Sequence, residues 1–266
     1  LLGGAGGTSK SFSLTDARRV VLPNGLTLLL LERRQLPIVV AEAYVRNVRL
    51  LEPADKAGLA VLTGSLLEEG TASHSGPQIA EMIEDVGGEL SFSSTGGSLK
   101  VLAPDQKLGL KLFFDSLIRP TFPKEAFARL REQQLSEIGD AEKNPEEKAS
   151  EIYRGLIYGS HPLGRPARGT QKTVAKLTRK DCVAFHRQVF VPGNVIVALV
   201  GDFDARQMID EVTRLSADWK AGPVPKPNPP PVALPEQFTE KLVTLPHAER
   251  LYFYLGHPGI RRDNPD

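Results

Sequence analysis

The sequence predicts an α+β domain of about 220 residues, followed by a linker and the beginning of a second domain. Three observations predict it. Strand signals open the chain near residue 19, recur near 89–103 and return at 195–200. Helical stretches with recognisable start and stop residues fill the space between. From Gly222 to Pro235 a run crowded with proline then ends the regular pattern.

In order along the chain, residues 19–31 read as a β-hairpin, with Pro23-Asn24-Gly25 as the turn because Asn and Gly tolerate positive φ. Ile38 to Val48 reads as a third strand. A short apolar helix is expected over 58–69. A second, amphipathic helix over 76–86 is opened by Ser75-Gly76-Pro77, with Pro at an early position where its missing N–H costs little. Glu89–Ser94 and Ser98–Ala103 read as a hairpin around Gly96-Gly97. Pro104-Asp105 starts a helix that Pro120 stops near Ile118. A long helix follows from Pro123 to about Lys143. Asn144-Pro145 breaks it, because a residue before proline avoids the α region. Another helix covers Glu146 to Tyr158, and 159–170 is a Gly- and Pro-rich loop. Thr178 with Asp181 caps a helix to Phe190. Val195 to Val200 is a continuous apolar run, the pattern of a central strand buried on both faces, with Asp202 just past its end and the 178–190 helix docked on it. Gly201 to Asp204 caps a helix to about Leu215. The proline-rich stretch reads as a semi-rigid extended linker. Thr239–Leu245 and Arg250–Gly256 read as two strands beyond it. The organisation expected is thus a flexible leader over 1–15, a domain over 16–220, a linker over 221–236 and the start of a second domain over 237–266.

Composition narrows the function. Of the 266 residues 41% are hydrophobic and 24% charged, which is ordinary for a globular protein, and the net charge of +1 gives no global attraction to nucleic acid or membrane. No apolar run reaches the roughly 18 residues a membrane span needs. The one cysteine, Cys182, excludes an internal disulfide and a cysteine-based zinc cluster. It fits the cytoplasm and leaves the bacterial periplasm open. On its amphipathic helix it reads as a small buried hydrophobe. There is no G-x-S-x-G elbow and no phosphate-binding P-loop. Gly3 to Gly7 precedes any strand and so fails the context of a dinucleotide loop.

One segment carries a resemblance. Gly58, Ala60, Gly70 and Thr71, then Ile79, Ala80, Ile83, Glu84, Gly87 and Gly88, fall without a gap on the active-site helix pattern of the pitrilysin/insulinase zinc peptidases, G-x-A-H-x-x-E-H-x-x-x-x-G-T followed by I-A-x-x-I-E-x-x-G-G. Val21 to Leu26 is similar to the family's L-x-N-G-L opening. His161 to Pro166 with Gly169-Thr170 resembles its H-P-L-G-R-P-x-x-G-T loop, Phe185, Phe190, Pro192 and Asn194 its F-x-x-x-x-Y-x-P-x-N passage, and Val200 to Phe203 its V-G-D-F strand end. The series covers roughly residues 21–218. The resemblance implies a mostly antiparallel six-stranded sheet with helices packed on it, and a full chain of two such domains.

The chemistry departs from that frame. In the family two His at i and i+4 bind zinc, a Glu between them is the general base, and a later Glu is the third ligand. The corresponding positions here hold Val61, Gly64 and Ser65, and only Glu137 matches, with Leu130 where a supporting acid would stand. A lone Glu on a long helix is most often a solvated residue. His74, His161, His186, His247 and His257 never fall within four residues of one another, so no helical turn presents a pair. His74, with Glu68 and Glu69 before it, and His161, before a proline, read as structural or surface residues. So do Asp140, Glu142, Glu146 and Glu147, as solvated helix ends. A serine nucleophile at Ser65 has no His near it in sequence.

What the resemblance implies is therefore a non-catalytic relative of a zinc metallopeptidase, inactive alone and binding no zinc or other cofactor. Its expected role is a partner subunit that encloses a peptide-binding chamber with a motif-bearing subunit. Its ligand would be a peptide or unfolded polypeptide. A diverged hydrolase and a purely structural core subunit are the alternatives. Gly64 inside a helix costs about 1 kcal/mol against Ala, so Gly64→Ala is expected to be neutral or stabilising unless something packs on that position.

Overall fold

The computed structural model describes residues 16–232, 237–246 and 250–259. The expected leader over 1–15, and His247, lie outside them. The first strands, β1 (Arg18–Val21) and β2 (Thr27–Glu32), form the expected hairpin. Gly25 takes φ +94°, and the Asn24 side chain accepts from Leu26 N–H at 3.1 Å while donating to the Ser216 carbonyl at 3.0 Å. The turn is thereby tied to the far end of the domain. β3 runs over Ile38–Val45, shorter than the sequence suggests, because residues 48–51 turn into a one-turn helix, α1 (Val48–Leu51), after Asn47 adopts φ 59°.

α2 (Leu59–Ser65) is also shorter than expected; residues 66–69 continue only as turns. α3 (Gly76–Glu84) begins on a reciprocal capping box between Ser75 and Gln78. β4 (Glu89–Ser93) and β5 (Gly96–Leu102) form the second hairpin, then come α4 (Gln106–Ile118), α5 (Lys124–Lys143) and α6 (Pro145–Tyr158). Asn144 caps α6, its side chain accepting from the Glu146 and Glu147 N–H groups. The loop that follows holds a short helix the sequence reading lacks, α7 (Gln171–Val174), capped by Thr170. α8 (Arg179–Val189) has the expected Thr178–Asp181 capping box. β6 (Val195–Gly201) and α9 (Ala205–Leu215), capped by Asp204, complete the regular structure.

The six strands lie in the order β1-β2-β6-β3-β5-β4. All pairs are antiparallel except β2 with β6. This is the α+β, mostly antiparallel sheet that the resemblance implies. Among the described residues helices cover one face of the sheet. Leu28, Leu30, Val39, Ala41, Ala43, Val45, Leu99, Val101, Val197 and Leu199 point into that layer and are buried. There they meet Phe113, Phe114 and Leu117 of α4 and Cys182, Phe185 and Val189 of α8 in one continuous core. The reading of β6 as buried on both faces is corrected. Its alternate residues Ile196 and Ala198 are half-buried and Val200 is exposed, because among the described residues the outer sheet face carries no second layer. α8 packs most closely on α2, with its core residues reaching the sheet beside it, rather than lying along β6. Asp202 does follow the strand directly, donating its N–H to the Ile38 carbonyl.

The proline-rich stretch has no regular structure over residues 222–232, as an extended linker requires. The two strands read beyond it are absent: residues 239–245 and 250–256 carry no strand pairing. A strand exists only against a partner. Here Phe238, Leu242, Leu251, Phe253 and Leu255 stand exposed instead.

Gly64 reverses the expectation from helix propensity. A Cβ on it would overlap the Ser93 carbonyl and the Ser94 amide of the β4–β5 turn. The α2 backbone therefore packs directly on that turn, and hydrogen is the side chain that fits. Gly64→Ala should destabilise the fold by about 3 kcal/mol, the upper range for overpacking because backbone and not a side-chain tip must yield. A urea-unfolding midpoint at or above the parent's would refute the packing, and half-exposed Ser65→Ala serves as the near-neutral control.

Two buried titratable groups give opposite pH dependences. His186 sits between Phe122 and Phe190 with its Nε2 on the Leu117 carbonyl. Burial is the main reason its pKa falls to about 4, the Leu117 contact opposing and Arg187 adding to the drop. The unfolded chain takes the His186 proton first, so this residue's contribution is lost as pH falls from about 6.5 to 4. Glu52 is the reverse. Burial raises its carboxyl to about 7, against the pull of the Ala60 and Gly58 N–H groups and of Arg165 and Arg49. Its contribution is full below about 4.5 and is lost as pH rises through 7. Each amplitude is on the order of 3 kcal/mol, and they largely cancel near pH 5–6. Glu52→Gln should expose the His186 slope, with stability rising from pH 4 to 6.5. His186→Gln should expose the Glu52 slope, with stability falling from pH 4.5 to 7. Parallel profiles for the two variants would contradict both assignments.

Candidate functional site

α2 is the element on which the expected site residues lie, and three neighbours fix its position. Residues 56–60 bring it in through Gly58, at φ +96°. The Glu52 Oε1 accepts from the Gly58 N–H at 3.1 Å and the Ala60 N–H at 2.8 Å, so a buried carboxylate satisfies the donors at the helix start. From α5 the buried Gln134 donates to the Gly58 carbonyl at 3.0 Å and the Arg168 carbonyl at 2.7 Å. From the 161–170 loop, Gly169, at φ +79°, lies against the Ala57 carbonyl. That carbonyl also accepts from the Thr173 hydroxyl at 2.8 Å. Neither Glu52 nor Gln134 is marked in the sequence. Both are polar residues whose partners are backbone groups, and nothing in residue type or spacing announces such a bond.

The positions singled out in the sequence behave as follows. Val61 and Ser65 are half-buried on one side of α2, and Gly64 between them is buried against the β4–β5 turn. Glu137 is exposed on α5. It accepts from Gln133 at 3.1 Å and lies 3.9 Å from the Arg168 guanidinium. On α5 it is Gln134, not Glu137, that turns in and bonds the start of α2. Among the described residues no three His, Cys, Asp or Glu side chains gather where they could hold a metal ion. A zinc site needs three such donors, and Val61, Ser65 and a carboxylate engaged with Arg168 do not supply them.

The other candidates have structural partners. His161 is buried and its Nδ1 accepts from the Leu163 N–H at 3.2 Å, shaping the loop. Glu69 pairs with Arg129 at 2.6 Å at the mouth of a surface hollow of about 700 Å³ that also holds His74 and Thr71. Glu68 is raised above the usual carboxylate range, by burial first and by Glu69 second, with the Phe92 N–H of β4 pulling the other way. Cys182 is buried and burial pushes its thiol up to about 12, so it stays protonated and inert. Glu142, Glu146 and Glu147 line a second hollow, of about 580 Å³, between α5, α6 and the 166–170 loop. There Glu147 pairs with Arg168 at 2.9 Å.

Residues 48–171, which hold α2 and α5, match the model described as insulinase (peptidase family M16), and residues 176–266 match the peptidase M16 inactive domain. An uncharacterized zinc protease of Mycobacterium leprae is 30% identical over 162 residues, 59% of this chain and 36% of that protein. One from Rickettsia felis is 24% identical over 205 residues, 76% of this chain and 50% of that protein. The chain thus spans half or less of the length of these relatives. The crystal structure of a peptidase M16 inactive domain from Pseudomonas fluorescens superposes with a TM-score of 0.76 at 27% identity, covering 82% of this chain and 54% of that one. A protease from Helicobacter pylori, at 19% identity and a TM-score of 0.74, has the same fold over 80% of this chain and 54% of that one. With two adjoining models of one family matched over most of its length and the fold shared with that family's solved structures, the chain belongs to the pitrilysin/insulinase family of peptidases.

Proposed function

We propose that this protein is a non-catalytic member of its family, one that presents a peptide-binding surface to a chamber completed by a zinc-bearing partner. The observation that carries the reading is the filled space at Gly64. A metallopeptidase needs a general base beside its metal-bound water. This position has no side chain, and the Ser93–Ser94 backbone occupies the volume into which one would grow. The flanking positions offer a hydrocarbon, Val61, and a neutral hydroxyl, Ser65, and Glu137 is engaged with Gln133 and Arg168.

Peptide binding is supported by the sheet. Among the described residues β4 pairs with β5 alone, and on its other edge, beside the end of α2, the Glu68 carboxyl meets the Phe92 N–H, so a peptide adding there would compete with Glu68 for that donor. An extended peptide can add to such an edge as a further strand. The relatives' description as zinc proteases favours a polypeptide as the ligand. The uncovered outer face of the sheet, with Val21, Tyr44, Leu102 and Val200 exposed, favours a second layer of protein against it. A second domain of the same kind, begun after the proline-rich stretch, accords with the length of the relatives and with the inactive-domain match running on to residue 266.

The test is metal content and cleavage measured on chelator-free protein, alone and with a motif-bearing partner. We expect substoichiometric zinc and no cleavage alone, and activity on mixing. One zinc per chain, lost in Glu137→Gln, would overturn the reading and favour a diverged hydrolase. The combined Val61→His, Gly64→Glu, Ser65→His variant should lose stability rather than gain activity, because a Glu at 64 meets backbone. A labelled extended peptide should bind the parent, and N-methylation at alternate residues should abolish binding if β4 reads the main chain.

A further inference from the structure

The geometry points to an oxyanion-binding site, for a carboxylate or a phosphate, formed by Arg49, Arg154 and Arg165. Arg49 lies on α1, Arg165 on the 161–170 loop and Arg154 near the end of α6. The short turn over residues 162–164 packs against both α1 and α6, which draws the three together. Arg49 donates an Nη2 hydrogen to the Arg165 carbonyl at 2.7 Å. Arg165 donates its own Nη2 hydrogen to the Glu52 carbonyl at 3.2 Å.

The donors that remain are without acceptors. The Arg165 Nε and Nη1 are shut off from solvent and have no hydrogen-bond partner among the described residues. A buried guanidinium donor left unpaired is costly, more so than a neutral one. No carboxylate lies within 4 Å of Arg49, Arg154 or Arg165 among the described residues, although most other arginines near α5, α6 and α9 have one. Glu52 is the acidic group that acts on Arg49, and its Oε1 is committed to the Gly58 and Ala60 N–H groups. The crowding of like charges is also felt at Arg49. Its pKa is lowered by burial first and by Arg154 next, with Glu52 opposing and Arg165 adding a smaller drop.

With Arg49 and Arg154 near it, the Arg165 guanidinium offers its unpaired donors to a negative ligand, against the opposing charge of Glu142, Glu146, Glu147 and Glu151, which line the 580 Å³ hollow together with Arg154. Guanidinium forks match planar carboxylate and tetrahedral phosphate oxygens in pairs. All three residues are half-buried, so an anion can reach Arg49 and Arg154 from solvent. A rotamer change of Arg165 then turns its unpaired donors toward it. Occupation would also stiffen the loop whose Gly169 and Arg168 carbonyl hold the start of α2. This inference stands apart from the proposed function, since it requires neither a partner nor the absence of zinc.

The experiment is thermal unfolding of the whole chain at fixed ionic strength. Three probes are compared with sodium chloride: inorganic phosphate, a short peptide with a free C-terminal carboxylate, and its amidated twin. At large excess, phosphate or the free-carboxylate peptide should raise Tm by about 4 °C. The amidated peptide should not. Arg165→Gln and Arg154→Gln should each remove the shift. Arg154 makes no hydrogen bond among the described residues, so its variant decides the matter should Arg165→Gln fold poorly. A shift from phosphate alone identifies a small-ion or phosphoryl ligand, and one from the free-carboxylate peptide alone identifies a peptide terminus. A shift equal to that of chloride, or one that both variants retain, overturns the site.

Discussion

The arrangement of this domain depends on how a seven-residue helix is held inside it. α2 is too short to be stable by itself, and most of its residues are buried. Its N-terminal donors must therefore find acceptors within the protein. Glu52 supplies one carboxylate oxygen for two of them, while Gln134 and Thr173 take up the carbonyls just before the helix, at Gly58 and Ala57. Five separate parts of the chain, the end of α1 at Glu52, α5, the 161–170 loop, α7 and the β4–β5 turn, thus converge on one short element. The match between Gly64 and the Ser93–Ser94 backbone can be close because the other end of the helix is so firmly placed.

That convergence explains what the family-like residues do here. Gly58 and Gly169 take left-handed backbone, and the space for a Cβ at each is already filled, by Arg168, Val174 and Gln134 at one and by the Ala57 carbonyl at the other. His161 and Thr170 organise the loop that supports α2. These residues serve the position of the helix, and they retain that service when the side chains on its open side are Val61 and Ser65. Frame and chemistry are separable on this fold.

Local rules made part of the structure legible in advance. The Asn24-Gly25 turn, the helix start at Ser75-Gly76-Pro77, the capping box at Thr178 and the Asn144-Pro145 break each rest on residues a few positions apart, so the sequence alone contains the whole interaction. Where the partner is distant, sequence reasoning falls short. Glu52 and Gln134 look like solvated polar residues until their backbone acceptors and donors, up to 76 positions away, are in place. Gly64 looks like a weak point in a helix until the β4–β5 turn is brought against it. The apolar run of β6 cannot reveal that only one face of its sheet is covered, because Ile196 and Val200 have the same chemistry whichever layer meets them. The resemblance supplied the sheet and its helices. The contacts around α2 came only with the structure.

The outer edge of β4 has a bearing on the selectivity proposed for it. Five residues of strand span only about 17 Å, so an added segment would share just a few main-chain hydrogen bonds with it. Backbone groups are common to every sequence, and recognition through them is nearly blind to side-chain identity. If polypeptides bind there as proposed, an edge of this length would sort them by shape: a chain already unravelled could lie along it, and a folded one would be turned away whatever its composition. Each encounter with such an edge would also be brief.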